Sequence, residues 1–137
     1  MPIIVYNRGN EDHSSHPFNI PIYRGGSVLG NPYSDKPLNG TLAVYKVKNR
    51  EEAIQRYSSY FDLQYGRNKE FTELIDVIYE LYKAGETIYL ECYCDPGKNG
   101  KINCHGEIIV EKLQKRLLKE KILEAKKKRY GEKQKMG

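Results

Sequence analysis

The sequence contains no tryptophan, only two methionines and only three cysteines among its 137 residues. An odd number of cysteines, two of them close together, argues against a secreted disulfide framework and favours reduced thiols in a cytosol. No apolar run approaches the roughly 20 residues that a membrane-spanning helix needs, and the first residues lack the apolar core of a secretory signal. We therefore expect a soluble, cytoplasmic protein that makes no membrane contact.

The common phosphate-binding signatures are also missing. The glycine-rich stretch at residues 25–33 lacks the Gly-Lys-Ser/Thr of a P-loop, and no predicted helix follows it as a dinucleotide fingerprint requires. Internal repeats are absent as well. The length corresponds to one domain, which is too small for an eight-unit βα barrel or a two-domain dehydrogenase.

Acidic residues are scarce at the C-terminal end of the chain. Residues 111–137 hold eleven Lys or Arg against four Asp or Glu, a net charge of +7, while the rest of the chain carries −2. The basic character belongs to one segment, which favours a basic appendage over a uniformly basic nucleic-acid-binding surface. We predict a single domain over residues 1–123 and a basic, frayed or disordered tail over residues 124–137.

Hydrophobic periodicity predicts the fold class. Short β-forming runs predict strands at residues 3–6, 20–23, 42–47 and 87–93. Helical spacing predicts two helices capped by Asn49 and Asn68, the second ending at Gly85, and a third that begins near Cys104 and keeps its apolar stripe to about residue 123. This order predicts a small single-domain α/β fold, with a mostly parallel sheet flanked by helices and a long C-terminal helix.

The unusual polar residues follow the predicted strands, where parallel sheets bind ligands. The expected ligand-binding residues come from four loops and a helix start; they are Arg8, Arg24, Gly30, Asn31, Cys94, Asp95 and Gly106. Glycines let a backbone approach an anion closely, and Arg24 can pair with a phosphate or carboxylate. The alternative is that the glycine-rich stretch is a plain turn.

The cysteines and one histidine allow three interpretations. Cys92, Cys94, Cys104 and His105 can supply four tetrahedral zinc ligands, although C-x-C spacing is not a common zinc pattern. Alternatively, Cys104 and His105 are catalytic, because a helix start and an adjacent histidine favour a reactive thiolate. The third interpretation makes Cys92 a small buried apolar residue and the others parts of a loop. His13 and His16 fit solvated loop residues better than metal ligands.

These residues resemble a phage and bacterial family known as domain of unknown function 4326. The resemblance covers residues 21–114, and its specific parts are the Gly-Asn-Pro element at residues 30–32 and the Cys-His-Gly element at residues 104–106. It also includes Tyr57. Two departures are Tyr93, where the family pattern suggests tryptophan, and a longer loop over residues 95–103. The resemblance implies a phage or mobile-element context and a shared pocket, and it implies no activity.

Two functions follow as hypotheses, and neither the reaction nor the cofactor is specified by the pattern. The first is a pocket for a nucleotide or another phosphorylated small molecule, formed by the Gly-Asn-Pro and Cys-His-Gly loops, with or without catalysis. The alternative is a phage accessory protein, for host takeover or against host defence, that binds a host protein or nucleic acid through its basic C-terminal segment.

Overall fold

A parallel β-sheet with helices packed on one side organises the computed structural model, which describes residues 3–7, 12–23, 26–34, 45–92 and 104–135. The elements in chain order are β1 (Ile3–Asn7), β2 (Asn19–Pro21), β3 (Tyr33–Ser34), β4 (Tyr45–Lys46), α1 (Arg50–Gln64), α2 (Lys69–Lys83), β5 (Ile88–Cys92) and α3 (Gly106–Lys135). The predicted α/β class, the parallel sheet and the long C-terminal helix are confirmed.

The main sheet has the strand order β1-β5-β2, and both pairings are parallel. Leu90 in the central strand is in register with Val5 on one side and Ile20 on the other. Because all three strands run the same way, their carboxyl ends share one edge, which we call the carboxyl edge (Asn7, Pro21 and Cys92). The short strands β3 and β4 form a separate parallel pair.

Strand alternation divides the side chains of the main sheet between two faces. In β5, Ile88, Leu90 and Cys92 are completely buried in the core, whereas Tyr89 and Glu91 point to the opposite face. All three helices contribute side chains to this single core; examples are Tyr57 from α1, Phe71, Ile75 and Ile78 from α2, and Ile109 and Leu113 from α3. The helices therefore cover one face of the sheet, which we call the helix-side face.

The predicted helix boundaries rest on capping contacts that the structure confirms. The side chain of Asn49 accepts a hydrogen bond from the backbone N–H of Glu52 at 2.8 Å, and Asn68 accepts one from Phe71 at 3.2 Å. Gly85 ends α2 with a φ of +84°, a left-handed conformation that favours glycine.

Helix α3 continues further than its apolar stripe predicts. The sequence led us to expect a frayed or disordered tail from residue 124, but the helix extends without a break to Lys135. Lys, Glu, Ala, Arg and Gln dominate this segment, and these residues have high intrinsic helix propensity, so the helix continues without an apolar face to bury. The division into a domain and a tail stays a prediction.

The strand predictions differ in detail. The strand expected over residues 87–93 is Ile88–Cys92, and that expected over 20–23 is Asn19–Pro21. Of the strand expected over 42–47, residues 42–44 lie outside the described residues, and the described part is Tyr45–Lys46. Within the described ranges, none of the helices is apolar over a length that could cross a membrane.

Candidate functional site

The predicted site residues fall into two groups in the structure. Gly30, Asn31, Cys92, Cys104, His105 and Gly106 are described, and the last four lie at or beside the carboxyl edge. Arg8, Arg24, Cys94 and Asp95 lie outside the described residues, so their roles stay predictions.

His105 attaches the start of α3 to the end of β2. Its side chain is buried, and its Nε2 atom lies 2.8 Å from the carbonyl oxygen of Ile22, the residue that follows β2. A carbonyl oxygen can only accept a hydrogen bond, so Nε2 carries the hydrogen and donates it. A Cβ on Gly106 would lie 2.7 Å from Ile22 Cδ1 and 2.9 Å from Val5 Cγ1, so a larger residue here would require both side chains to shift.

Cys104 lies between two nitrogen atoms. Its Sγ is 3.5 Å from His105 Nδ1 and accepts a hydrogen bond from the backbone N–H of Gly106 at 3.4 Å. When the ring carries a single hydrogen and that hydrogen is on Nε2, Nδ1 has a lone pair that can accept the thiol proton. Sequence adjacency could not establish this contact, because neighbouring side chains at a helix start commonly point apart.

Tyr57 of α1 contacts both the Gly-Asn-Pro loop and the Cys-His-Gly loop. Its hydroxyl donates to the carbonyl oxygen of Leu29 at 2.7 Å, and its ring meets the His105 ring edge-on, with centroids 4.7 Å apart. Burial raises the pKa of Tyr57 well above its usual value, with smaller contributions from Tyr60 and Cys104. In the sequence, Tyr57 falls at a helical apolar spacing, which is typical of an ordinary core residue. Its presence among the residues of the family resemblance was the available signal.

Asn31 fixes the Gly-Asn-Pro loop to the same helix. Its side-chain amide is buried and donates to the carbonyl oxygen of Ala53 at 3.1 Å. The loops predicted to form one pocket are therefore both held by α1, one through Asn31 and Leu29, the other through the contact between Tyr57 and His105.

Cys92 has a different environment from Cys104. It is completely buried, and its thiol donates to the carbonyl oxygen of Tyr6 at 3.2 Å, which requires the protonated form. Among the described residues, no group of three or more His, Cys, Asp and Glu side chains is arranged to hold a metal ion. Cys94 lies outside those residues, so the zinc site stays a prediction.

The opposite face of the sheet carries a polar cluster that sequence reasoning missed. Glu91 is only 2% exposed, and its Oε1 accepts a hydrogen bond from Asn19 Nδ2 at 3.4 Å and lies 3.2 Å from the Tyr6 hydroxyl. The same hydroxyl donates to Asn19 Oδ1. A glutamate alternating with apolar residues is typical of an exposed strand face, which is why the pattern gave no sign of burial.

The loop over residues 12–18 covers this cluster. His13 stacks on Tyr89 with centroids 4.1 Å apart and meets Tyr6 edge-on at 4.9 Å. The His16 ring meets the Tyr89 ring edge-on, with centroids 4.9 Å apart. Both histidines lie in a loop, as predicted, but they are half-buried rather than fully solvated. Their flat rings supply the apolar cover that the helices do not give this face.

Comparison with known proteins points to one family. A family model described as a domain of unknown function, DUF4326, matches residues 5–115, most of the chain. No curated protein and no solved structure gives a significant match.

Proposed function

The chain belongs to the domain-of-unknown-function 4326 family, and we propose that it binds a phosphorylated small molecule, foremost a nucleotide, at the carboxyl edge of the sheet. One observation carries the proposal: Tyr57 contacts both the Gly-Asn-Pro loop, through Leu29, and the Cys-His-Gly loop, through His105. Two loops from distant parts of the sequence thus meet beside the strand ends, where open parallel sheets bind their ligands.

The electrostatics of this edge suit an anion. Helix α3 begins at Gly106, beside the carboxyl edge, and the partial positive charge of a helix N-terminus attracts phosphate groups. In the sequence, Arg8 directly follows β1 and Arg24 comes three residues after β2. Each guanidinium can pair with two phosphate oxygens, so Arg8 and Arg24 would bind the phosphate group of the ligand.

A thermal-shift screen of the full chain against nucleotides, nucleosides, NAD and sugar phosphates tests the proposal. A ligand at a hundred times its dissociation constant should stabilise the fold by about 2.7 kcal/mol. Calorimetry should then show that Arg24→Ala abolishes binding, whereas Arg67→Ala, in the exposed turn between α1 and α2, leaves it unchanged. The proposal would be overturned if no compound in the panel raised the melting temperature, or if the folded Arg24→Ala variant bound a ligand as tightly as the wild-type protein.

The contacts of Cys104 favour a second candidate function, thiol chemistry on the bound ligand. Cys104 would be the nucleophile, His105 Nδ1 the general base at 3.5 Å, and the Ile22 carbonyl the group that orients the ring. The N–H of Gly106 and the N-terminus of α3 both stabilise negative charge on the sulfur.

Cys92 provides an internal control for this candidate. The two thiols are equally buried in the structure, so a difference in their reaction rates that depends on His105 reports on thiolate formation rather than access. With iodoacetamide and peptide mass spectrometry, Cys104 should be alkylated at least about tenfold faster than Cys92 near neutral pH. His105→Gln should remove most of the difference. Equal rates in the wild-type protein would contradict the assignment of a nucleophile.

A further inference from the structure

Helix α3 presents one continuous basic face. At 3.6 residues per turn, positions seven apart almost coincide in direction, drifting by about 20°. Lys112, Lys119 and Lys126 are spaced in this way. Between residues 112 and 127, six basic residues share a sector of about 120° around the helix; they are Lys112, Lys115, Arg116, Lys119, Lys126 and Lys127. We call this set the basic face.

The acidic residues of the helix lie mostly on other sides. Glu107, Glu111 and Glu124 fall outside the sector by the same helical geometry. Glu120 lies at its margin, where it pairs with Lys83 at 2.6 Å and accepts a hydrogen bond from the Tyr79 hydroxyl. Glu111 nevertheless reaches Lys115 and pairs with it at 2.8 Å, so the helix itself neutralises one cation of the face.

At its body end the basic face borders a groove of about 450 Å³ between the helices. Apolar and aromatic side chains line it together with four cations and one acid, Asp62, which pairs with Lys112; the others are Phe61, Tyr65, Ile75, Leu113, Lys115, Arg116 and Lys119. Clefts of this size hold small organic ligands. An apolar lining beside positive charge matches a nucleotide unit, which has a flat base and a charged phosphate.

Only part of the basic face is neutralised by the protein itself. Lys112 pairs with Asp62 and Arg116 with Asp76, both at 2.9 Å, and these contacts fix α3 against α1 and α2. Lys119 and Lys126 are exposed and make no ion pair with any residue in the described ranges. These cations remain available to a partner.

We propose that the basic face of α3 binds the phosphate backbone of a nucleic acid, with one nucleotide in the groove. Lys112 and Lys126 are about 21 Å apart along the helix axis, so the basic face is a linear array of cations. Such an array fits a partner whose negative charges are also spaced along a line. A phosphate backbone has such a repeat. A second copy of this helix does not fit, because its facing surface would carry the same sign of charge.

Two charge-reversal variants separate position from net charge. Lys119→Glu with Lys126→Glu changes the basic face, whereas Lys121→Glu with Lys128→Glu makes the same change in net charge on the opposite side of the same helix. All four lysines are exposed, so both variants should fold, and circular dichroism checks this.

The measurement is fluorescence anisotropy with labelled single-stranded and duplex DNA of about 16 nucleotides, between about 50 and 200 mM salt. The wild-type protein should bind with an affinity that falls steeply with salt. The basic-face variant should bind at least about tenfold more weakly than the control variant, and its log–log salt slope should be shallower by about 1.4 on single strands.

Three outcomes would overturn the proposal. These are no binding by the wild-type protein, equal losses in the two variants, and displacement of DNA by polyglutamate at equal charge concentration. Equal losses would mean that net charge alone attracts DNA, and displacement by polyglutamate would assign the face to acidic polypeptides.

Discussion

Replacing His105 by alanine should lower the free energy of unfolding by about 3–5 kcal/mol. The substitution removes a buried ring that contacts Tyr57 and leaves a cavity next to Cys104. It also removes the donor to the carbonyl oxygen of Ile22, at 2.8 Å, inside the protein. A buried acceptor without a donor keeps its desolvation cost, which adds to that of the cavity. Urea unfolding near neutral pH measures the loss.

Two further variants separate the hydrogen bond from general packing. His105→Gln keeps a side-chain N–H that can donate to Ile22, so it should recover part of the loss. His16→Ala removes a half-buried ring from the loop on the other face of the sheet and should cost only about 1 kcal/mol. A loss of less than about 1 kcal/mol for His105→Ala would contradict the buried contact between α3 and β2.

The sequence predicts those parts of the fold that depend on local patterns. Asn49 and Asn68 are recognisable as caps because each offers a side-chain oxygen just before a helical apolar spacing. The central strand is recognisable because Ile88 and Leu90 alternate with Tyr89 between Gly85 and a proline. Strand order was not predictable in the same way, since β1 and β2 both pair with a strand more than 60 residues later.

The candidate site was predicted only where neighbouring residues reveal it. Cys104, His105 and Gly106 are conspicuous together at a helix start, and the structure places them beside the carboxyl edge. The partners of His105 were not predictable, because Ile22 precedes it by 83 residues and Tyr57 looks like any core tyrosine on an amphipathic helix. Contacts of this kind depend on how the helices pack, which periodicity does not specify.

The polar cluster on the other face shows a second limit. Tyr6 and Glu91 are paired across β1 and β5, so strand register alone brings them together. Burial of Glu91 depends on the loop carrying His13, and no local signal predicts where a polar loop will pack. Polar residues on a strand are therefore interpreted as exposed unless the covering segment is known.

Raising the pH above about 10 should destabilise the protein strongly, because two buried tyrosines resist ionisation in the folded state. Burial raises the pKa of Tyr57 well above its usual value. Burial and the hydrogen bond to Glu120 raise the pKa of Tyr79 to about 12. In the unfolded chain both ionise near pH 10, so above that pH the unfolded state binds fewer protons and stability falls as pH rises. Below about pH 10 both tyrosines are protonated in the folded and the unfolded states, so the free energy of unfolding is not reduced by them.

Each tyrosine that keeps its proton in the folded state should add about 1.4 kcal/mol per pH unit to the loss of stability above pH 10. Urea unfolding at several values between about pH 9 and pH 12 measures the slope. Tyr57→Phe should lower the free energy of unfolding at every pH, because it leaves the Leu29 carbonyl without its donor. Above about pH 10 its stability should fall less steeply with pH than that of the wild-type protein, because one of the two tyrosines is gone. Ultraviolet titration of the folded protein counts the tyrosines that ionise near pH 10. If all twelve ionised there before the protein unfolded, Tyr57 and Tyr79 would not be protected by burial, and the loss of stability would have another cause.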